Sequence, residues 1–229
     1  MQKLIVLTGA GISAESGIST FRDAGGLWEK HRIEDVATPQ AWRRDPELVL
    51  QFYNQRRRQL LQVEPNAGHR ALVELERAFD VRIVTQNVDD LHERAGSSRV
   101  LHLHGELRKV RSERYADAVY DWDGDVRMGD LCEHGFQLRP HIVWFGEAVP
   151  MLQPAAELAA QADLFLIVGT SLQVYPAAGL MAYARRHIPC FYLDPDPQLN
   201  WELQGMPNLT VIAQPASVAL PELARQLLG

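Results

Sequence analysis

The first residues that could do chemistry form a glycine-rich loop. Gly9-Ala10-Gly11 follows a strand-like apolar run at residues 4–7 and stands where a helix would start. Glycines in such a loop let the backbone approach a pyrophosphate, whose charge then meets the N–H groups of the helix. The third glycine, Gly17, comes later than in the usual G-x-G-x-x-G. The spacing therefore leaves two interpretations open, a dinucleotide site and a tight turn.

A histidine, His104, directly follows another apolar run, residues 100–103. Histidine is the side chain best suited to act as a general base near neutral pH. His102 lies two residues earlier and shares a strand face with His104, which gives it a supporting role at most. The alternative for any histidine is a structural role, which we prefer for three others: His69, His92 and His187.

A tyrosine and an arginine on a predicted helix could bind an anion. Tyr53 and Arg56 are three positions apart and therefore share one helix face. A phenol hydroxyl beside a guanidinium fork is a good receptor for a carboxylate. A solvated basic helix face is the alternative, and it is the interpretation that we prefer for Arg57 and Arg58.

Short apolar runs, separated by helix-like stretches, must position these residues. Runs that are continuous rather than alternating indicate strands buried on both faces, as in parallel α/β sheets. The predicted strands are residues 4–7, 81–84, 100–103, 164–168, 191–193 and 210–212. The predicted helices are residues 46–63, 66–79 (with Asn66 as N-cap), 154–162, 177–187 and 216–228.

Two stretches do not fit this alternation and are interpreted as insertions. Residues 32–79 are purely helical in pattern, and residues 108–140 are polar without a clear period. We predict one domain over residues 1–229, with an α/β, Rossmann-like core of parallel strands and helices on both faces, and a smaller lobe. The core comprises residues 1–31, 80–107 and 141–229, and the small lobe comprises the insertions 32–79 and 108–140. Ligands of such sheets bind at the carboxyl ends of the strands, so we expect the site between that edge and the small lobe.

The composition of the 229 residues excludes several classes of protein. A chain that is 46% hydrophobic and 23% charged is ordinary for a globular protein, not a disordered one. Its apolar runs fall far short of the roughly 20 residues that a membrane-spanning helix needs. A net charge of −6 argues against a nucleic-acid binder held by bulk charge. Two cysteines make no disulfide framework and no secretory signal is visible, so we expect a cytoplasmic location.

Five motifs, in the same order, resemble those of the sirtuins, which are NAD-dependent protein-lysine deacylases. The opening motif is Gly9-Ala10-Gly11-Ile12-Ser13-Ala14-Glu15-Ser16-Gly17-Ile18-Ser19-Thr20-Phe21-Arg22-Asp23. The others are Thr85-Gln86-Asn87-Val88-Asp89-Asp90-Leu91-His92, His104-Gly105-Glu106-Leu107, Arg139-Pro140-His141-Ile142-Val143-Trp144-Phe145-Gly146-Glu147, and Gly169-Thr170-Ser171-Leu172 with Val174-Tyr175-Pro176-Ala177. The resemblance implies an enzyme that consumes NAD while it removes the acyl group from an acylated lysine, and that releases nicotinamide and O-acyl-ADP-ribose.

The resemblance also implies a role for individual residues. The substrate amide oxygen attacks the carbon that joins nicotinamide to ribose, and His104 is the base that takes a proton from a ribose hydroxyl. Asn87 and Asp89 can hydrogen-bond the carboxamide, and the charge of Asp89 suits a developing cation; turn chemistry is their alternative role. Phe21 and Arg22 belong to a loop that closes over the cofactor. The remaining NAD contacts are Gly9, Ala10, Gly11, Ser13, Gln86, Gly169, Thr170, Ser171 and Asp194, the last at a position where the family more often has Asn.

For the substrate, the resemblance implies an acylated lysine in an extended peptide strand. That strand would lie between Val143-Trp144-Phe145-Gly146 on one side and the segment at Val174 on the other. The Tyr53 and Arg56 pair matches the subclass that removes succinyl and malonyl groups, so we expect desuccinylation to be at least as efficient as deacetylation. Two alternatives stay open: an ADP-ribosyltransferase or NAD hydrolase on the same scaffold, and a non-catalytic sensor of NAD or ADP-ribose.

The metal site of most sirtuins is the feature that this sequence does not match. Most of the family holds zinc between two Cys-x-x-Cys pairs, and a tetrahedral site needs four ligands. Here Ser112 and Tyr115 stand at the spacing of the first pair, and only Cys132 and His134 are available for the second. Structural zinc seldom takes carboxylates, which here are Asp121, Asp123, Asp125 and Glu133. We therefore predict no structural zinc and a lobe held by packing and polar contacts.

Overall fold

The structure is a computed structural model that describes residues 1–18, 27–28 and 31–229. The predicted cofactor contacts Phe21 and Arg22 lie outside the described residues. No helix in the described part of the chain is long and apolar enough to cross a membrane. Both cysteines, Cys132 and Cys190, are buried free thiols.

The described elements alternate between strands and helices along most of the chain. The strands are β1 (Gln2–Thr8), β2 (Leu27–Trp28), β3 (His31–Arg32), β4 (Phe79–Thr85), β5 (Val100–His102), β6 (Gly105–Ser112), β7 (Val119–Asp121), β8 (Leu138–Ile142), β9 (Leu164–Val168), β10 (Cys190–Leu193) and β11 (Leu209–Ile212). The α-helices are α1 (Gly11–Ala14), α2 (Ile33–Val36), α3 (Pro39–Arg44), α4 (Pro46–Leu60), α5 (Ala67–Leu75), α6 (Leu91–Ala95), α7 (Leu152–Ala160), α8 (Trp201–Gln204) and α9 (Ala216–Leu228). A 3₁₀ helix spans Ala177–Tyr183, where the sequence predicted a longer helix over residues 177–187.

The core is a six-stranded parallel sheet in the order β11-β10-β9-β1-β4-β5, with helices on both faces. Alternate residues of β1 point to opposite faces. Leu4 and Val6 pack in the cluster that contains α5 and α9, whereas Ile5 and Leu7 pack in the cluster that contains α7 and the 3₁₀ helix. Because both faces are covered, these strands read as continuous apolar runs, and the predicted α/β class is confirmed.

Helix α5 belongs to the core rather than to the small lobe, which corrects the assignment of residues 67–79. Leu72 and Leu75 are fully buried in the same cluster as β1 and α9. The helix begins directly after Asn66, whose side chain accepts a hydrogen bond from the Gly68 N–H at 2.9 Å, so the N-cap prediction is correct. The apolar stripe of α5 therefore faces the sheet, which a helical pattern alone does not specify.

The small lobe contains an antiparallel sheet that the sequence analysis missed. Strands β7-β6-β8 span the second insertion and its two ends, and they pack with helices α2, α3 and α4 around one apolar cluster. The β6–β8 register shifts between Gly105 and Val110, which is typical of a β-bulge. The bulge breaks the two-residue alternation that identifies a strand, and for that reason the segment looks aperiodic.

Arg57 joins the two insertions from within the small lobe. Its side chain is almost fully buried, and its Nε donates to the Leu107 carbonyl at 2.9 Å. Its Nη1 donates to Asn54 Oδ1 at 2.8 Å and to the Gly124 carbonyl at 3.3 Å. The prediction of a solvated position was therefore wrong for Arg57, whereas Arg58 is exposed as expected.

We expect Arg57→Met to lower the free energy of unfolding by about 3 kcal/mol, because buried carbonyl groups lose a charged donor. Arg58→Met is the matched control on the same helix and should change it by less than about 0.5 kcal/mol, as is usual for exposed positions. Urea denaturation of both variants measures the difference. Equal effects of the two substitutions would contradict this structural role of Arg57.

Candidate active site

The predicted site residues meet at the carboxyl edge of the sheet. A cavity of about 590 Å³ lies there, between that edge and the small lobe. Loops that follow β1, β4, β5, β9 and β10 contribute to its lining, as do helix α4 and the segment after β8. Every predicted contact among the described residues lines this cavity: Gly9, Ala10, Gly11, Ser13, Tyr53, Arg56, Gln86, Asn87, Asp89, His104, Val143, Trp144, Phe145, Gly146, Gly169, Thr170, Ser171, Val174 and Asp194.

The glycines of the first loop allow two strand-end loops to pack closely. The Gly11 N–H donates to the Gly169 carbonyl at 2.8 Å, and the Gly9 N–H donates to the Val168 carbonyl at 3.0 Å. A Cβ atom at position 11 would lie 2.7 Å from Gly169 Cα, and one at position 9 would lie 2.7 Å from Thr170 Cβ. Any larger residue would push the loops apart, so the glycines shape the cavity floor as well as permitting close approach of a ligand.

Asn87, Asp89 and Ser13 form one buried network beside this floor. Asn87 Nδ2 donates to the Gly9 carbonyl at 3.1 Å and to Ser13 Oγ at 3.2 Å. Ser13 Oγ in turn donates to Asp89 Oδ2 at 3.0 Å, and the Leu91 N–H donates to Asp89 Oδ1 at 3.2 Å. Both hydrogens of the Asn87 amide are thus committed, so its oxygen is the group that it presents to a ligand.

Two opposing effects act on the Asp89 carboxyl. Burial raises its pKa above the ordinary value, while the hydrogen bonds from Leu91 and Ser13 lower it. These two donors stabilise the ionised Asp89 carboxylate, which is too deeply buried to be stabilised by water. A negative charge held in this way can attract a cation that develops nearby.

His104 is oriented by a backbone carbonyl. Its Nδ1 lies 3.0 Å from the Gln86 carbonyl oxygen. A carbonyl only accepts hydrogen bonds, so Nδ1 carries the proton and Nε2 is the basic nitrogen. Burial lowers the pKa of His104 below its ordinary value, against the raising effect of the Gln86 hydrogen bond. The ring is therefore neutral and able to accept a proton at neutral pH.

We expect kcat/KM for deacylation to rise with pH along an acid limb whose midpoint lies below 6.5, the ordinary pKa of histidine. The lowered pKa keeps His104 in its basic form to lower pH than an exposed histidine. A pH–rate profile between pH 5 and pH 8 measures the midpoint. A limb centred above 6.5 would point to a different base.

If His102 were the base, the acid limb of the pH–rate profile would have its midpoint above 6.5. Burial lowers its pKa, but the hydrogen bond and charge of Glu93 outweigh burial and raise it. Its Nδ1 lies 3.1 Å from the Asn87 carbonyl, and its Nε2 lies 2.8 Å from Glu93 Oε1. His102 therefore contacts the backbone of a site residue from outside the cavity, in keeping with a supporting role.

Three further polar residues border the predicted cofactor region. Gln86 Nε2 donates to Thr170 Oγ1 at 3.0 Å, which links the loops after β4 and β9. Asp194, directly after β10, is buried, and its Oδ1 accepts a hydrogen bond from the Asp196 N–H at 2.9 Å. A buried carboxylate at the end of a strand is a typical partner of ribose hydroxyls.

Tyr53 and Arg56 line another part of the same cavity. Both side chains are buried, and Tyr53 Oη accepts a hydrogen bond from Trp144 Nε1 at 3.1 Å. Burial raises the pKa of Tyr53, so its phenol keeps its proton. The Arg56 guanidinium carbon lies 6.0 Å from the centroid of the Phe52 ring. A phenol and a cation that are both withdrawn from solvent are suited to bind one carboxylate.

The segment from Val143 to Glu147 is a turn whose amides are mostly committed within the chain. The Val143 N–H donates to the His104 carbonyl, and the Phe145 N–H donates to the Ala37 carbonyl. The amide of Trp144 donates to Glu147 Oε2, and that of Glu147 donates to the Trp144 carbonyl. A peptide strand beside this segment would therefore pair with the carbonyl oxygens of the segment and with the Gly146 N–H.

Sequence reasoning missed the ion pairs that hold this segment. Arg139 donates to both oxygens of Glu147, at 2.8 and 3.0 Å, and Arg111 contacts the same carboxylate at 3.3 Å. These hydrogen bonds and charges lower the pKa of Glu147 in spite of its burial. Arg139 and Glu147 do stand in one motif, but a spacing of eight residues does not by itself predict a contact.

The small-lobe residues at the positions of the expected zinc ligands make other contacts. Cys132 Sγ donates to Ser112 Oγ at 3.4 Å, and the rings of Tyr115 and His134 lie 4.7 Å apart. One thiol and one imidazole do not complete a tetrahedral zinc site, so this residue set does not fit the metal. Within the described ranges, no group of three or more His, Cys, Asp and Glu residues is placed to hold a metal ion.

We expect the purified protein to contain far less than one zinc per chain and to keep its melting temperature in the presence of a strong chelator. A structural zinc contributes about 10 kcal/mol or more of binding free energy to folding, so its removal would be obvious. Metal analysis and thermal unfolding with and without the chelator make the measurement. Near-stoichiometric zinc whose removal unfolds the chain would overturn the prediction.

Comparison with known sequences gives one consistent result. Residues 9–176 match the Sir2 family. A Helicobacter pylori protein named NAD-dependent protein deacylase is 61% identical over 195 residues, which is 85% of each chain. Proteins of the same name from Bacteroides thetaiotaomicron and Escherichia coli are 53% and 49% identical, and cover 100% and 99% of this chain and 99% and 84% of their own.

Solved structures are also similar over almost the whole chain. A Sir2 homologue in complex with NAD is 39% identical, with a TM-score of 0.88 over 99% of this chain and 89% of its own. A Sir2 structure with a deacetylated p53 peptide and 3′-O-acetyl-ADP-ribose is 30% identical, with a TM-score of 0.78 over 98% of this chain and 92% of its own.

Proposed function

The chain belongs to the Sir2 family and is an NAD-dependent protein deacylase, and on that premise we propose that it removes acidic acyl groups, such as succinyl or malonyl, from lysine at least as efficiently as it removes acetyl groups. The observation that carries the proposal is that Tyr53 and Arg56 line the same cavity as His104. One cavity thus offers a base, a cofactor floor and a carboxylate receptor.

The residues at the cavity floor fit NAD, the co-substrate. Gly9 and Gly11 leave no room for a side chain where the two loops meet. Gln86, Thr170 and the buried Asp194 supply the polar groups that ribose and phosphate require. When bound, NAD would supply the ribosyl carbon that accepts the acyl oxygen, so that acylated lysine, NAD and water together would give free lysine, nicotinamide and O-acyl-ADP-ribose.

The roles that we assign to the chain's own residues follow from their hydrogen bonds. The Asn87 amide, oriented by Gly9 and Ser13, presents its oxygen to the carboxamide of the cofactor. Asp89 provides a fixed negative charge. His104 Nε2 takes a proton from a ribose hydroxyl, and the Gln86 carbonyl holds the ring in the required tautomer.

The acidic end of the acyl chain would meet Tyr53 and Arg56. Both donors are buried, so a carboxylate that reaches them exchanges its hydration for two charge-assisted hydrogen bonds in a medium of low polarity. An acetyl group carries no carboxylate and therefore gains nothing from the cation. The receptor therefore favours four-carbon or three-carbon diacids over acetate.

The peptide around the lysine would bind as an extended strand beside Val143–Glu147 and the segment at Val174. Main-chain pairing makes few demands on neighbouring side chains, so we expect loose sequence preference around the lysine. The Gly146 N–H and the carbonyl groups of the turn at residues 143–147 are the main-chain groups that would pair with the peptide.

Mass spectrometry of the products tests the proposed reaction. Succinyl, malonyl and acetyl forms of one peptide are incubated with the enzyme and NAD. Free lysine peptide with an equal amount of the matching O-acyl-ADP-ribose supports deacylation. ADP-ribosylated peptide would instead indicate transfer, free ADP-ribose would indicate hydrolysis, and unchanged NAD would indicate a sensor.

A further inference from the structure

The indole of Trp144 is buried and donates a hydrogen bond to Tyr53. The expected main-chain contact between Trp144 and the peptide does not explain this side-chain arrangement. We propose that the Trp144 indole, fixed in place by Arg139, sets the direction of the Tyr53 hydroxyl and so strengthens selectivity for acidic acyl groups. The inference rests on the proposed carboxylate receptor and adds a positioning residue to it.

The indole is fixed by a cation above its ring. The Arg139 guanidinium carbon lies 3.3 Å from the centroid of the Trp144 ring. Arg139 is itself held by two hydrogen bonds to Glu147 and by one from its Nη2 to the Ile142 carbonyl at 3.0 Å. A guanidinium stacked on an indole and bound bidentately to a carboxylate has little freedom to move.

The backbone of Trp144 is tied to the same carboxylate. Its N–H donates to Glu147 Oε2 at 2.8 Å. Two further aromatic rings neighbour the indole, with centroids 5.8 Å away for Trp42 and 6.5 Å away for Tyr53. Main chain and side chain are therefore positioned together, so the direction of the indole N–H is well defined.

The hydrogen bond from Trp144 constrains the phenol. An indole N–H can only donate, so Tyr53 Oη must be the acceptor at 3.1 Å. The hydroxyl hydrogen of Tyr53 cannot point along that bond and has to turn away from the indole. A phenol oriented in this way is prepared to donate to a carboxylate that Arg56 attracts, and it loses less rotational freedom when the ligand binds.

A double-mutant cycle with Trp144→Phe and Tyr53→Phe tests the inference. The measured quantity is the ratio of kcat/KM for succinyl and acetyl forms of one peptide, with kcat and KM determined separately. Trp144→Phe should lower the ratio about 5- to 10-fold, mainly through KM for the succinyl peptide, because one neutral hydrogen bond contributes about 1 kcal/mol. In the Tyr53→Phe background the same substitution should change the ratio less than about 2-fold.

Trp42→Phe is the matched control. Trp42 stacks near the same indole, but its Nε1 donates to Glu113 rather than to Tyr53. It should leave the ratio unchanged. Trp144→Tyr, which restores a donor on an aromatic ring, is the second variant and should recover part of the ratio.

The outcomes separate this inference from the proposed receptor. If Tyr53→Phe leaves the ratio unchanged, the receptor itself is wrong. If Tyr53→Phe lowers the ratio but Trp144→Phe does not, or if its effect persists undiminished in the double variant, the positioning role of Trp144 is wrong. If neither Trp144 variant yields a folded enzyme that deacetylates, the indole is a structural core residue and the inference falls.

Discussion

His104→Ala is expected to lower kcat/KM for deacylation by about 100- to 10,000-fold, the range typical of a lost general base. The variant loses the only group in the proposed mechanism that takes a proton from a ribose hydroxyl. Binding of NAD should persist, because the cavity floor is formed by the loops after β1, β4 and β9, which the substitution does not alter. Initial rates and calorimetric titration with NAD measure the two effects.

His187→Ala is the control for this result, since His187 is exposed and does not line the cavity. It should leave both the rate and NAD binding unchanged. If His104→Ala keeps most of the activity, the base lies elsewhere. Loss of NAD binding together with activity would show instead that His104 acts in shaping the site.

Arg56→Met is expected to lower kcat/KM for a succinyl peptide by about 10- to 100-fold, because a hydrogen bond to a charged group contributes about 1.5–3 kcal/mol. The effect on an acetyl peptide should be much smaller, since an acetyl group carries no charge for Arg56 to bind. The ratio of the two specificity constants is therefore the sensitive quantity. It is obtained from initial rates on one peptide in both acyl forms.

Arg58→Met on the same helix is the matched control, because it removes an equal charge from an exposed position. It should leave the ratio unchanged. An unchanged ratio in Arg56→Met would mean that the Tyr53 and Arg56 pair is not the acyl receptor, whatever the absolute rates.

The core of the fold and the location of the site could be predicted because their signals are local. Continuous apolar runs mark parallel strands buried on both faces, and each site loop directly follows such a run. Because all carboxyl ends of a parallel sheet lie at one edge, residues as distant as Gly9, His104 and Asp194 had to meet there. The five motifs added the identity of the ligand, and the family comparison confirms the resemblance.

The features that escaped prediction depend on long-range contacts. Nothing local distinguishes the buried Arg57 from the exposed Arg58, since burial of Arg57 depends on carbonyls 50 or more residues away. The bulge in β6 hides its alternation, and the packing of α5 against α9 joins helices about 150 residues apart in the sequence. Local patterns specify which elements form, whereas partner choice depends on the assembled core.

A competition between acyl groups tests the central claim most directly. Succinyl and acetyl forms of one peptide, mixed at equal concentration below their KM values, are incubated with the enzyme and NAD, and both O-acyl-ADP-ribose products are followed by mass spectrometry. We predict that O-succinyl-ADP-ribose accumulates at least as fast as O-acetyl-ADP-ribose. Faster accumulation of O-acetyl-ADP-ribose than of O-succinyl-ADP-ribose would contradict the proposed activity on acidic acyl groups.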